Sequence, residues 1–115
     1  MPFIFHITST SQWEQAQLSG TYEGDTLASE GFIHCSTLPE VVGVANRYFV
    51  GQTDLLLLCI ASDQVQAEIK YEAIAGDEAY PHIYGPLNLD AVTQALTWTA
   101  QPDGSFALPE AIANS

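Results

Sequence analysis

Three histidines, His6, His34 and His82, are the side chains best suited to chemistry in this chain. Imidazole is the group most easily tuned for proton transfer or ligand bonding near neutral pH. Each histidine falls in a strand-like segment and shares its strand face with a polar or hydroxylated neighbour. His6 goes with Thr8, His34 with Ser36, and His82 with Tyr84. If the three segments are neighbours, these faces line one cleft, and His6, His34 and His82 are its candidate catalytic residues. The competing account is a satisfied structural histidine in each strand. A three-histidine zinc site is the metal version of the idea. No two of the histidines stand two or four residues apart, so there is no local metal signature, and no metal is expected.

The other groups that can serve a cleft are few. Tyrosine stacks on a planar ring and hydrogen-bonds from its tip. Tyr84 lies in a segment bounded by Pro81 and Pro86 and is the tyrosine best placed to be held rigidly. Tyr22 sits in a long loop that acts either as a lid or as a plain connection. Tyr48 falls on an apolar helical stripe and is expected in the core. Arg47 and Asn46 are candidates to meet an anion, with an ion pair to a nearby acid as the alternative for Arg47. Cys35 and Cys59 lie in strongly apolar segments and are expected as buried thiols rather than a disulfide. Glu30 is either a catalytic carboxylate or, in a chain this acidic, an exposed acid.

Charge limits the partners. Fourteen Asp and Glu stand against two basic residues, a formal net charge of -12. Nucleic-acid and anionic-membrane binding need many Lys and Arg, so neither is expected. A small-molecule ligand held by backbone N–H groups and one cation stays open. The N-terminal residues carry no basic region and no long apolar stretch, and Leu55 to Ala61 is the longest apolar run. No signal peptide or membrane span is expected, and the cytoplasm is the expected compartment. At 115 residues and 47% hydrophobic composition, one domain with a real core is expected.

The elements that must position the histidines follow from periodicity. Residues 3–8 alternate as a strand. Ser11 and Glu14 have capping-box spacing and predict a helix over 12–18, stopped by Gly20. Residues 21–30 read as a loop with a turn of helix near 26–28. Residues 31–36 alternate as a second strand. Thr37 and Glu40 form a second capping box, opening a helix with Leu38, Val41, Val42, Ala45, Tyr48 and Phe49 on its buried stripe. Arg47 falls almost opposite that stripe and Asn46 on its rim.

Residues 54–61 are apolar on both faces, as in a central strand. Residues 66–74 form a further strand and Gly76-Asp77-Glu78 a turn. Residues 80–87, broken by prolines, read as edge-like or irregular. Residues 88–90 start a helical turn, and 92–99 form a strand. Pro102-Asp103-Gly104 is a turn after which 106–108 pair back. Trp13 and Trp98 are packing residues. Late strands joined by turns favour antiparallel pairing, so the expected class is α+β with two early helices. The expected organisation is a single domain over 1–106 with a loosely attached tail at 107–115.

Several blocks together resemble a known family. They are His6-Ile7-Thr8, Trp13, Gly31-Phe32-Ile33-His34-Cys35-Ser36, Val44-Ala45-Asn46-Arg47-Tyr48-Phe49, Asp54-Leu55-Leu56-Leu57-Leu58 and Pro81-His82-Ile83-Tyr84-Gly85-Pro86-Leu87. In this order they look like the DUF952 family of small, mostly bacterial, uncharacterised proteins. The resemblance implies an ADP-ribosyltransferase-like fold, a split barrel of two small sheets around a cleft for NAD. In such enzymes a first-strand residue, often His, bonds a ribose of NAD. An aromatic residue stacks on the nicotinamide, and a late Glu polarises a ribose hydroxyl.

His6 stands where the ribose-bonding residue would be, and His34, with His82 or Tyr84, is placed for the nicotinamide. The closing block His82-Ile83-Tyr84-Gly85 contains no Glu, and Glu72 is the nearest candidate upstream. Related RNA 2′-phosphotransferases use several basic groups, which a chain with two cations lacks. The resemblance thus implies NAD as the cofactor, bound by Tyr84, Ser36, Asn46, Arg47 and Thr8. Four functions stand open: the NAD-using ADP-ribosyl transferase that the resemblance implies, a non-catalytic nucleotide-like binding domain, a His-ligated metal enzyme, and a structural or protein-interaction module.

Overall fold

The computed structural model describes residues 3–24, 26–73, 79–109 and 112. The chain opens with β1 (Phe3–Ser9), which runs directly into α1 (Thr10–Ser19). Because no loop intervenes, the last extended residue becomes the cap. Ser9 accepts a hydrogen bond from the Gln12 N–H at 3.2 Å. The expected cap at Ser11 therefore lies inside the first turn. Gly20, with φ +99°, closes the helix by donating its N–H to the Ala16 carbonyl.

The expected loop that follows contains two short elements, β2 (Thr21–Tyr22) and α2 (Leu27–Glu30). Tyr22 is 1% exposed and belongs to the core, so it is no lid. Next come β3 (Ile33–His34) and α3 (Leu38–Tyr48). The second capping box forms as expected: Glu40 Oε1 accepts from the Thr37 N–H at 3.2 Å and from its hydroxyl at 2.7 Å. Val41 and Ala45 are fully buried, but Leu38 and Tyr48 are exposed, Tyr48 to 65%. Tyr48 is the last residue of the helix. It is not the core residue its helical position suggested.

The remaining strands are β4 (Leu55–Ala61), β5 (Glu68–Ala73), β6 (Ala79–Tyr84), β7 (Leu87–Asn88) and β8 (Val92–Trp98). All seven residues of β4 are buried, because β4 is the centre of the sheet β1-β4-β8. A second three-stranded sheet has the order β3-β6-β5, and β2 pairs with β7. Every strand pairing among the described residues is antiparallel. The architecture is a single α+β domain. The expected turn at 76–78 lies outside the described residues.

The first sheet buries both faces. Phe5, Ile7, Leu55 and Leu57 pack against Val41 and Ala45 of α3, with Trp98 and Phe106. Ile4, Leu58 and Ile60 face the other way and pack with Tyr22, Ile33 and Ile83. This is the period of two expected of strands, used on both sides at once.

Two expectations fail at prolines and at the chain's end. Segment 79–84 is the centre of its sheet, not an edge, despite Pro81. Pro81 pairs with Tyr71 of β5, and its carbonyl accepts the Cys35 N–H at 3.0 Å just past the last β3 pair, His34 with His82. In an antiparallel ladder a residue's N–H points the same way as its C=O. The bond that proline cannot make thus falls where the β3 ladder has already ended. Residues 106–108 do not pair back as a strand. Instead Asn46 clasps Phe106, donating Nδ2–H to its carbonyl at 3.0 Å and accepting its N–H at 2.7 Å. The Trp98 indole donates to the Ala107 carbonyl at 2.8 Å, and Ile112 packs into the same core.

That clasp yields a stability prediction. Asn46→Ala leaves two backbone groups of Phe106 without partners, at a cost of about 1–3 kcal/mol. Chemical denaturation should show the loss. Amide exchange should quicken at 106–108 while β4 stays protected.

Candidate functional site

The two three-stranded sheets meet at one isolated bridge. Phe5 and Ser36 exchange both backbone hydrogen bonds, at 2.8 and 2.7 Å. Beyond it the sheets diverge. His6, the next residue of β1, donates Nδ1–H to the carbonyl of His34 at 2.5 Å. A carbonyl can only accept, so this bond places a proton on Nδ1 and turns Nε2 toward the hydroxyl of Tyr22, 2.6 Å away. The same hydroxyl lies 2.8 Å from Thr8 Oγ1, which lies 2.9 Å from Gln12 Oε1. One phenolic proton serves either His6 or Thr8. It points to Nε2 when His6 is neutral and to Thr8 when His6 is protonated.

The second cluster occupies the other face of the sheet β3-β6-β5. His34 and His82 are directly paired, with ring centroids 5.1 Å apart. Phe32 stacks on His82 at 4.3 Å and 20° between planes, and meets the His34 ring edge-on at 4.7 Å. Under this cover His82 is only 1% exposed. Its Nδ1–H donates to Glu72 Oε1 at 2.9 Å, and the Tyr84 hydroxyl donates to the same oxygen. His82 Nε2 is buried and has no hydrogen-bond partner. The Lys70 ammonium stands 4.9 Å from the Tyr84 ring centroid. His34 Nε2 lies 3.2 Å from Glu30 at the surface, so Glu30 is an exposed acid with a histidine partner.

These contacts shift two groups in opposite directions. The hydrogen bond from Tyr84, then that from His82, hold the Glu72 carboxyl below its ordinary value, aided by the charges of His82 and Lys70 and opposed by burial. The bond to Glu72 holds the Tyr84 hydroxyl above its ordinary value, with burial and the charges of Glu72 and Glu68 adding to it. Burial pushes the Cys35 thiol far up and the Cys59 thiol to about 11, so neither is a thiolate nucleophile at neutral pH.

A cleft of about 880 Å³ opens where the sheets part. His6, His34 and His82 all line it, together with Thr8 and Ser36. Its other wall is α3, through Gly43, Val44, Arg47 and Tyr48. Arg47 makes no ion pair with any of the described acids, and its guanidinium lies 5.9 Å from the Tyr48 ring centroid. Two expected ligand-binding residues are placed elsewhere. Asn46 spends its amide on Phe106, and Tyr84 stands behind His82 rather than on the cleft wall. Phe32 is the member that sequence reasoning passed over, and Glu72, named only as the nearest upstream carboxylate, is placed beside His82 and Tyr84. The signal for Glu72 was its alternation with Lys70 on one face of β5, but the pairing of Lys70 with His82 is what brings it to β6. Among the described residues, no three His, Cys, Asp or Glu are grouped to hold a metal ion, and no helix is long and apolar enough to cross a membrane.

Fold and site together define a small α+β domain with a histidine-lined cleft at a split between two sheets. The chain belongs to the DUF952 family, described as a protein of unknown function, whose sequence profile it matches over residues 7–95. It is similar to protein CC0527 from Caulobacter crescentus. The crystal structure of that protein superposes with a TM-score of 0.88 at 30% identity, covering 96% of this chain and 98% of that one. Its solution NMR structure gives 0.84 at 31% identity, with both chains fully covered. No curated protein matches the chain.

The Glu72–Tyr84 pair can be read by titration. Glu72→Gln should lower the ionisation of Tyr84, followed at its ring Cζ carbon by NMR. A carboxyl held below its ordinary 4.5 contributes stability above that pH and loses it as pH falls through the depressed value. Wild type should therefore lose stability on acidification below 4.5 more steeply than Glu72→Gln. Parallel acid limbs would show that the pair contributes nothing.

Proposed function

We propose that the cleft binds a nucleotide of the NAD kind and that His82 carries a proton in ribosyl chemistry on it. One observation carries this reading: a buried imidazole with Nδ1 held by a carboxylate and Nε2 left without a partner, lining a cleft. An unpaired buried polar atom costs about 1–3 kcal/mol, which a purely structural histidine would not retain. A base oriented through its far nitrogen by an acid is the arrangement that prepares proton transfer.

The cleft volume lies in the range of about 300–1,000 Å³ that holds small ligands. Arg47, paired with none of the described acids, suits a phosphate. The ADP-ribosyltransferase-like resemblance supplies the ribose role for His6 and thereby NAD itself. In the reaction, the bond from ribose C1′ to the nicotinamide nitrogen breaks, and its electron pair leaves with the nicotinamide. An acceptor hydroxyl, or water, adds to C1′ and its proton passes to His82 Nε2. Glu72 is a positioning residue here: it steadies the imidazolium and touches no ribose.

The second reading is binding without turnover. It is favoured by one fact: the carboxylate lining the cleft, Glu40, is engaged in capping α3. One experiment separates the two. The protein is titrated with NAD by calorimetry, and released nicotinamide is measured by chromatography. Catalysis predicts that His82→Gln cuts release by about 10²–10⁴-fold with binding retained, while His34→Ala weakens binding. Binding with no release in wild type selects the second reading. No heat at millimolar NAD removes both.

A further inference from the structure

We infer that Gly43 keeps open a track on α3 along which the phosphate-bearing part of the ligand lies, ending at Arg47. The inference rests on the nucleotide reading and extends it to the opposite wall of the cleft. Glycine in a helix interior is unfavourable relative to alanine, so a glycine there needs a reason. Backbone geometry supplies none, because Gly43 sits within α3 without a left-handed φ. Packing supplies none either, since a Cβ built at Gly43 meets no atom within 4 Å.

Gly43 is exposed, yet it lines the cleft. What a side chain there would meet is the cleft's occupant. Residues four apart share a helix flank, so Pro39, Gly43 and Arg47 form one row, and all three line the cleft. The row lies away from the buried Val41 and Ala45. Arg47 is one of two cations among fourteen acids and is paired with none of the described ones. The same cleft is lined by His82, whose buried Nε2 has no partner. The lining therefore offers two different chemistries, a proton acceptor on β6 and a guanidinium on α3, with a stretch of helix free of side chain at Gly43 one turn before the guanidinium.

The test uses Gly43→Ala, Gly43→Leu and Arg47→Gln beside wild type, with thermal melts and amide NMR titrations by NAD and by inorganic pyrophosphate. Gly43→Ala should melt at or above wild type and bind both probes nearly as well. Gly43→Leu should also melt at or above wild type but bind both about tenfold or more weakly. Arg47→Gln should lose about tenfold for both. Undiminished binding by Gly43→Leu overturns the track, and so does a fall in melting temperature in Gly43→Ala, which would make the glycine structural. Wild-type response to pyrophosphate without response to NAD overturns the nucleotide reading alone, and Gly43→Leu then still judges the track. No response to either probe overturns both.

Discussion

Two hydrogen bonds between Phe5 and Ser36 are the only backbone pairing between the two three-stranded sheets among the described residues, and the cleft exists because that pairing stops after one bridge. If the ladder continued, His6 would lie opposite Cys35 in a closed sheet and its Nδ1 would have no carbonyl to reach. Because it stops, the His34 carbonyl is available to a side chain. The imidazole of His6 takes the place of the next backbone donor. The sheets are thus stitched by backbone at Phe5 and by side chain at His6. A buried carbonyl must find a donor somewhere, and here the donor is also a residue of the cleft.

The histidines differ in how completely they are satisfied, and that separates their roles. His6 has both ring nitrogens engaged, one by a carbonyl and one by a buried phenol. Its orientation is fixed, which suits a group that positions a ligand. His34 is half-buried, with its outer nitrogen near a surface acid. His82 is hydrogen-bonded at one nitrogen and buried without a partner at the other. Phe32 makes this arrangement possible, since its stacked ring excludes water from an imidazole that lies on the outer face of its sheet. A group screened from solvent and held by a charged partner feels that charge more strongly than one in water.

Much of this was legible from alternation alone. The pairings of His6 with Thr8 and His34 with Ser36 on common faces, the central strand at Leu55–Ala61, and the Thr37–Glu40 cap all follow from local pattern. What local pattern does not carry is register. Glu72 reaches His82 only because β5 pairs with β6 so that Lys70 faces His82, and nothing inside either strand sets that offset. Tyr22 was obscure for a related reason: β2 is two residues long and its burial depends on a partner at Leu87. Tyr48 and Pro81 show the opposite failure. Helical phase and proline's missing donor are local rules, and each was overridden by where the neighbouring element ends.

The charge balance bears on which ligand such a cleft can take. A net charge of -12 repels anions at long range, and the repulsion grows with the charge of the approaching molecule. A polyanion would meet it along its whole length, with two cations to offset it. On the proposed reading a small anion meets it once and then reaches a guanidinium that none of the described acids pairs with, with Gly43 one turn before it. On the proposed reading the acidic surface therefore acts with Arg47 rather than against it, disfavouring extended phosphate chains while leaving one short, screened approach. Lys70 does not line the cleft; its ammonium lies 4.9 Å from the Tyr84 ring centroid, where its charge favours the ionised form of Glu72.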